Sequence, residues 1–326
     1  MSQDMLQQSQ VDAAKAIIDN VVANVDTVIQ GKHDAVELVV LALIAKGHVL
    51  LEDLPGTGKT TLVSTLAKSV DCGFSRIQFT PDIMPSDVSG FSIFNQKTRD
   101  FEFRPGGVMS NLVLADEINR ASAKTQSALL EAMEERQVTV DGVTHKLQEP
   151  FIVLATQNPV EQFGTYPLPE AQLDRFLVKT SIGYARFEEE ARVVKMRDKA
   201  KKAIKPVVDG DAIVKLQELA AQVDVHDRVV DYIVEIVTAT RNSPDIALGS
   251  SMRGSIALNS LACAYALYNG RDYVIPDDVR YLAPYVLAHR LTLSHDAKTE
   301  GRKAVDIVES ILSGIAVPMI TSAEVQ

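Results

Sequence analysis

Cysteine is scarce in this sequence, long apolar runs are missing, and positive charge is in deficit. Cys72 and Cys263 are the only two cysteines in 326 residues. They share no paired spacing, which argues against a disulfide framework or a zinc site and for a reducing compartment. The longest apolar stretch, residues 38–51, is interrupted by Lys46 and His48 and is too short to cross a bilayer. The first ten residues carry neither a basic nor an apolar signal region. The expectation is a cytoplasmic chain with no membrane segment. Asp and Glu number 43 against 33 Lys and Arg, a formal net charge of −10. A duplex-DNA binder needs basic surface to displace counterions from phosphates, so nucleic acid is not an expected partner. The basic cluster at residues 195–205 reads as a solvated helix face. The six histidines show no metal-ligand spacing, and no Ser/His/Asp or Cys/His set can be assembled from the sequence order.

What remains is an ordinary globular composition, 46% hydrophobic and 23% charged, in a chain long enough for two domains. Apolar residues at helical spacing predict helices over 10–27 and 34–45, the second closed by Gly47. Short apolar runs at 48–52, 74–80, 111–115, 150–155 and 176–181 predict five strands, with helices over 59–70 and 122–135 between them. Strands alternating with helices imply a parallel sheet with crossover helices. Two segments fit that scheme poorly. Residues 90–107 carry Phe91, Ile93, Phe101 and Phe103 around a polar centre and read as a projecting hairpin. Residues 137–146 repeat the pattern around Asp141-Gly142, a strong hairpin-turn dipeptide. After Phe187 no strand-like run is convincing. Helical patterns follow at 187–203, 211–223, 227–240, 253–268, 277–288 and 303–315, punctuated by Pro206, Pro244 and Pro276. The expected division is 1–186, an α/β domain with a five-stranded parallel sheet, and 187–326, an all-α domain.

The most specific signal is Pro55-Gly56-Thr57-Gly58-Lys59-Thr60 between a strand and a helix. Glycines let backbone N–H groups curl around phosphates, a lysine reaches the β/γ oxygens, and a hydroxyl at the next position binds Mg²⁺. The helix N-terminus adds partial positive charge. The chain departs from G-x-x-x-x-G-K-[ST] in carrying Asp53 at the first glycine position. ATP and Mg²⁺ are therefore the expected ligands, with Pro55, Gly56, Thr57, Gly58, Lys59, Thr60 and Thr61 at the nucleotide. Leu112-Val-Leu-Ala-Asp116-Glu117 supplies a strand ending in two acids. Asp116 would hold the metal through water, with Thr60, and Glu117 would act as general base on the attacking water. His48, beside that first strand, reads as a packed structural residue.

Asn158 in Gln157-Asn158-Pro159, Arg175 in Leu173-Asp174-Arg175-Phe176, and Arg253 in Ser251-Met252-Arg253 are each ordinary alone. Their order after the phosphate loop and the acidic strand end resembles the AAA+ superfamily and, more closely, the MoxR family. The resemblance covers nearly the whole chain. It is most specific in 47–60, 114–121, 124–133, 155–159 and 164–176. It implies that Asn158 is sensor 1, Arg253 sensor 2 and Arg175 an arginine finger serving the neighbouring subunit's ATP. Val28, Ile29 and Gly31 would lie in the segment that packs on adenine. The two odd hairpins match the helix-2 insert and the pre-sensor-1 insertion. The family's usual proline before the sensor-2 arginine is Met252 here. The resemblance also implies a ring, most often a homo-hexamer. Its clients would be proteins, some with von Willebrand factor A domains, and similar proteins sometimes assist metal-cofactor insertion. Two rival readings are a DNA motor or clamp-loader-like ATPase, against which the acidic balance counts, and a nucleotide-gated scaffold, against which Glu117 and Arg175 count.

Overall fold

The computed structural model describes residues 6–54, 56–158, 165–184, 187, 188, 191 and 204–319. Pro55, most of the helix expected at 187–203, most of the basic cluster at 195–205 and the expected boundary at 186 lie outside the described residues.

Five strands form one parallel sheet in the order β2-β5-β8-β1-β9. They span Val49–Glu52 (β1), Phe74–Gln78 (β2), Leu112–Asp116 (β5), Ile152–Gln157 (β8) and Val178–Thr180 (β9). The expected strands are all present, with ends shifted by one or two residues. Covered on both faces, central strands have no reason to alternate polar and apolar residues, and β5 is buried at all five positions. Their side chains nevertheless divide with period two. Val49, Leu51, Leu112, Leu114, Ile152 and Leu154 join one core. Leu50, Val113, Ala115, Val153 and Ala155 join the other.

The first core is closed by α1 (Gln8–Asp26), α2 (His33–Ile44) and α3 (Lys59–Ser69), and the lid helices pack into the same cluster. The second is closed by α4 (Pro85–Ser89) and α5 (Ala123–Glu135), the latter capped by Ser122. Deleting a large aliphatic side chain from either core would cost about 2–5 kcal/mol. Both hairpins form. β3 (Gly90–Asn95) pairs with β4 (Asp100–Pro105), leaving Phe91, Phe94 and Phe101 exposed. β6 (Gln137–Val140) pairs with β7 (Val143–Lys146) through Asp141 and Gly142, whose φ angles of 49° and 79° are those that a two-residue hairpin loop requires. The Phe103 ring stacks on His145 at 3.8 Å, so the hairpins touch.

The C-terminal region is helical, with helices at Gly210–Ala220, Asp227–Asn242, Met252–Tyr268, Pro276–Leu287, His295–Thr299 and Ala304–Gly314. It is not purely so. β10 (Ile246–Leu248) and β11 (Thr292–Leu293) pair antiparallel, over a small cluster of Ile246, Ala297 and Ile307. Strands of three and two residues are too short to show a period in the sequence, which is why the all-α expectation missed this ribbon. Among the described residues no helix is long and apolar enough to cross a membrane.

Candidate functional site

The parallel strands deliver β1, β5 and β8 to one edge of the sheet, the carboxyl ends where open α/β sheets place ligands. The phosphate-loop sequence leaves β1 there. Gly56 and Gly58 have φ angles of 85° and 92°, in the left-handed region open to glycine at little cost. A Cβ on either would meet nothing within 4 Å, so conformation rather than crowding requires glycine. Gly58 is the N-cap of α3 and offers no side chain to the first turn. The leading N–H groups of an 11-residue helix are thus left for an anion. These features fit a nucleotide phosphate, and Lys59, Thr60 and Thr61 occupy that first turn. The Lys59 Nζ donates to the carbonyls of Asp53 (3.1 Å) and Leu54 (3.2 Å), while Thr57 Oγ1 donates to Leu54 O at 3.2 Å. Asp53 itself, only 4% exposed, accepts the N–H groups of Ile182 (2.6 Å) and Gly183 (2.8 Å). Its carboxylate pins the loop's root to the exit of β9, which accounts for an acid where the motif has glycine.

At the end of β5, Asp116 Oδ1 accepts from Thr156 Oγ1 at 2.7 Å, and that same oxygen of Thr156 accepts from the Glu117 N–H at 2.8 Å. Glu117 stands at φ 58°, ψ 49°, a left-handed conformation costing a non-glycine residue about 1–3 kcal/mol. It turns the chain out of the strand and sets the Glu117 carboxylate beside Gln78 Nε2 (3.2 Å) and Arg120 Nη1 (3.1 Å). Arg76, from β2, forks onto Asp116 Oδ2 with Nε at 3.2 Å and Nη2 at 2.6 Å. Asn158 follows directly on β8 and is buried. Lys59, Asp116, Glu117 and Asn158 are therefore grouped at one edge of the sheet. Thr60 and Asp116 carry oxygens of the kind that could hold a hard cation such as Mg²⁺.

Arg175 and Arg253 are elsewhere. Val178 opens β9 opposite Val49, the first residue of β1, so Arg175 lies beyond the amino-terminal edge of the sheet. Its guanidinium donates to Leu130 O at 2.8 Å and pairs with Glu134 Oε2 at 2.9 Å, both on α5. Arg253 pairs with the other oxygen of Glu134. β1, roughly 13 Å long at about 3.3 Å per residue, runs from the edge where Arg175 lies to the phosphate loop. Val28 and Ile29 form the turn after α1, both donating to Val25 O at 3.0 Å, and Gly31 follows at φ 74°.

Comparison with known proteins bears on this arrangement. Residues 48–178 match the family model described as the ATPase family associated with various cellular activities (AAA), and residues 238–311 match the AAA lid domain. The chain is 55% identical to YeaC of Bacillus subtilis (strain 168), over 94% of this chain and 97% of that one. It is 42% identical to Chaperone MoxR1 of Mycobacterium tuberculosis, over 95% of this chain and 84% of that one. It belongs to the MoxR family of AAA+ ATPases. A crystal structure of a protein from Cytophaga hutchinsonii, assigned as an ATPase, matches the MoxR-family fold described here with a TM-score of 0.88. That match has 40% identity and covers 95% of this chain and 98% of the other.

Sequence reasoning missed several residues that organise this MoxR-family site. Arg76 and Gln78 reach the acids from β2, and only their alternation in a strand adjacent to β5 could have signalled it. Thr156 bridges the two acids from β8. Arg290, almost wholly buried, pairs with Asp174 at 2.9 Å and donates to Phe176 O (2.6 Å) and Leu177 O (3.2 Å), tying the lid to the entry of β9. Burial pulls its guanidinium down to about 10 although Asp174 opposes that shift. His289, beside it, is held well below its ordinary value by burial.

Proposed function

We propose that this MoxR-family chain hydrolyses ATP to ADP and phosphate at interfaces in a ring of its own copies, most often a hexamer, and uses the cycle to remodel or activate partner proteins. The observation that carries this reading is the separation just described. Lys59, Asp116 and Glu117 gather at one edge of the sheet, and Arg175 and Arg253 at the other. A finger so placed serves a neighbour's nucleotide and leaves its own site incomplete.

In that reading the backbone of Gly56–Gly58 cradles the phosphates and Lys59 neutralises them. Val28, Ile29 and Gly31 pack on adenine, and Asn158 helps place the water. Glu117 orients that water and takes its proton at the carboxylate. Thr60 and Asp116 would hold Mg²⁺, which when bound neutralises phosphate charge as a Lewis acid. The nucleotide-binding domain would run over 1–186 and the lid over 187–326. The name of the Mycobacterium tuberculosis relative, a chaperone, supports protein clients. We place proteins with von Willebrand factor A domains, and metal-cofactor insertion, among the candidate tasks, and a cytoplasmic setting around them.

Mixing two inactive variants tests the reading. In a mixed ring an Arg175→Ala subunit keeps its own Glu117 and borrows Arg175 from a Glu117→Gln neighbour. Activity should return in part and rise with protein concentration. Normal turnover by Arg175→Ala in dilute monomer would refute the shared site, and stimulation by DNA at physiological salt would favour a DNA motor.

A further inference from the structure

Asp116 already accepts hydrogen bonds on both of its carboxylate oxygens. A carboxylate offers about four lone-pair directions, two on each oxygen. Arg76 directs two N–H groups at Oδ2, at 3.2 and 2.6 Å, and Thr156 directs its hydroxyl at Oδ1. The fork thus fills the outer oxygen, while Thr156 holds the other from inside the sheet. The contact follows from strand register. Gln78 is opposite Asp116 and Arg76 opposite Leu114, so both β2 side chains rise on the same face of the sheet. The Asp116 side chain is 11% exposed and that of Arg76 46%, so the arginine covers the carboxylate from the solvent side.

We propose that Arg76 is a built-in counter-cation for Asp116 that competes with Mg²⁺, so that metal–nucleotide binding requires the guanidinium to leave Oδ2. The proposal rests on the reading of Asp116 as a metal-side carboxylate. A water held by the metal would donate to Asp116, where Arg76 fills Oδ2 and only one direction on Oδ1, beside the Thr156 hydroxyl, is left. A guanidinium and a divalent cation a few ångströms apart also repel. Arg76 has somewhere to go: Nη2 already donates to Gln78 Oε1 at 2.6 Å, and the side chain opens to solvent. Until Mg²⁺ arrives, the pair keeps an otherwise uncompensated carboxylate from destabilising the strand end.

Titration of the 326-residue chain with a fluorescent ADP analogue, in Mg²⁺ and separately in EDTA, tests this. Arg76→Met should bind the analogue in Mg²⁺ about threefold more tightly than wild type, the scale of a partly exposed ion pair, with no tightening in EDTA. Arg76→Gln should move the same way by less. It decides the matter if Arg76→Met folds poorly, which would show as lost binding in EDTA. Asp116→Asn should forfeit most of the affinity that Mg²⁺ adds, and Arg76→Met on that background should change nothing. Unchanged or weaker binding in Mg²⁺ for the Arg76 variants, with Asp116→Asn still metal-defective, overturns the competition and leaves the metal reading intact. Full Mg²⁺ dependence in Asp116→Asn removes the metal reading and the competition together.

Discussion

Acidification from pH 7.5 to pH 5 should weaken the fold in part through the buried ring of His48, and replacing that ring should remove its share while leaving that of His289. His48, immediately before β1, is 5% exposed. Its Nε2 lies 3.0 Å from Met133 O and its Nδ1 3.0 Å from the Val153 N–H. One nitrogen must donate and the other accept, which only a neutral imidazole can do. Burial, and after it the positive charge of Arg136, holds the ring down at about 3 from an ordinary value of 6.5. The unfolded chain takes up a proton near 6.5 and the folded chain does not until about 3. The contribution of His48 is therefore whole above pH 6.5 and is lost as pH falls through that window. At roughly 1.4 kcal/mol per pH unit, about 2 kcal/mol goes by pH 5. His48→Gln keeps a donor and an acceptor but does not titrate. It should be less stable than wild type at pH 7.5, and the gap should narrow by about 2 kcal/mol at pH 5. Urea unfolding followed by tyrosine fluorescence, convenient in a chain without tryptophan, measures both. Parallel losses in the two proteins would refute the reasoning.

Three substitutions probe the site directly. Lys59→Ala should weaken binding of a fluorescent ATP analogue by a large factor, and unchanged affinity in a folded variant would remove the phosphate-loop assignment. Glu117→Gln should keep nucleotide binding while steady-state phosphate release falls about 10²-fold or more, the usual scale for loss of a general base. Asp53→Ala orphans the buried N–H groups of Ile182 and Gly183. It should cost about 1–3 kcal/mol in thermal or urea unfolding, and an unchanged midpoint would show that water replaces the carboxylate.

The parts of the fold legible in the sequence are those set by local pattern. The run 111–115 announces a strand buried on both faces, and Asp141-Gly142 announces its turn, because each depends on neighbours along the chain. Gly56, Gly58 and Lys59 are legible for the same reason: strand, loop and helix follow one another. The ribbon of Ile246–Leu248 and Thr292–Leu293 joins segments more than 40 residues apart through very few positions, and no local period could reveal it. Arg76 and Thr156 act on Asp116 from strands 40 residues away on either side. Their roles exist only once the order β2-β5-β8 is known. The order of motifs suggested Arg175 and Arg253, but their meeting on Glu134 depends on how the lid lies against α5.

Asp174 and Arg175 are consecutive, yet their side chains answer to different bodies. The Asp174 carboxylate accepts from Ser251 Oγ, at the start of the lid helix Met252–Tyr268, and from Arg290 Nε, both at 2.9 Å. The Arg175 guanidinium is lodged against α5. A single peptide unit thus works as a gear tooth between lid and sheet. A lid that turns must either strip two hydrogen bonds from Asp174 or drag the backbone of the next residue with it. In the second case the angle of the lid sets where Arg175 stands against α5.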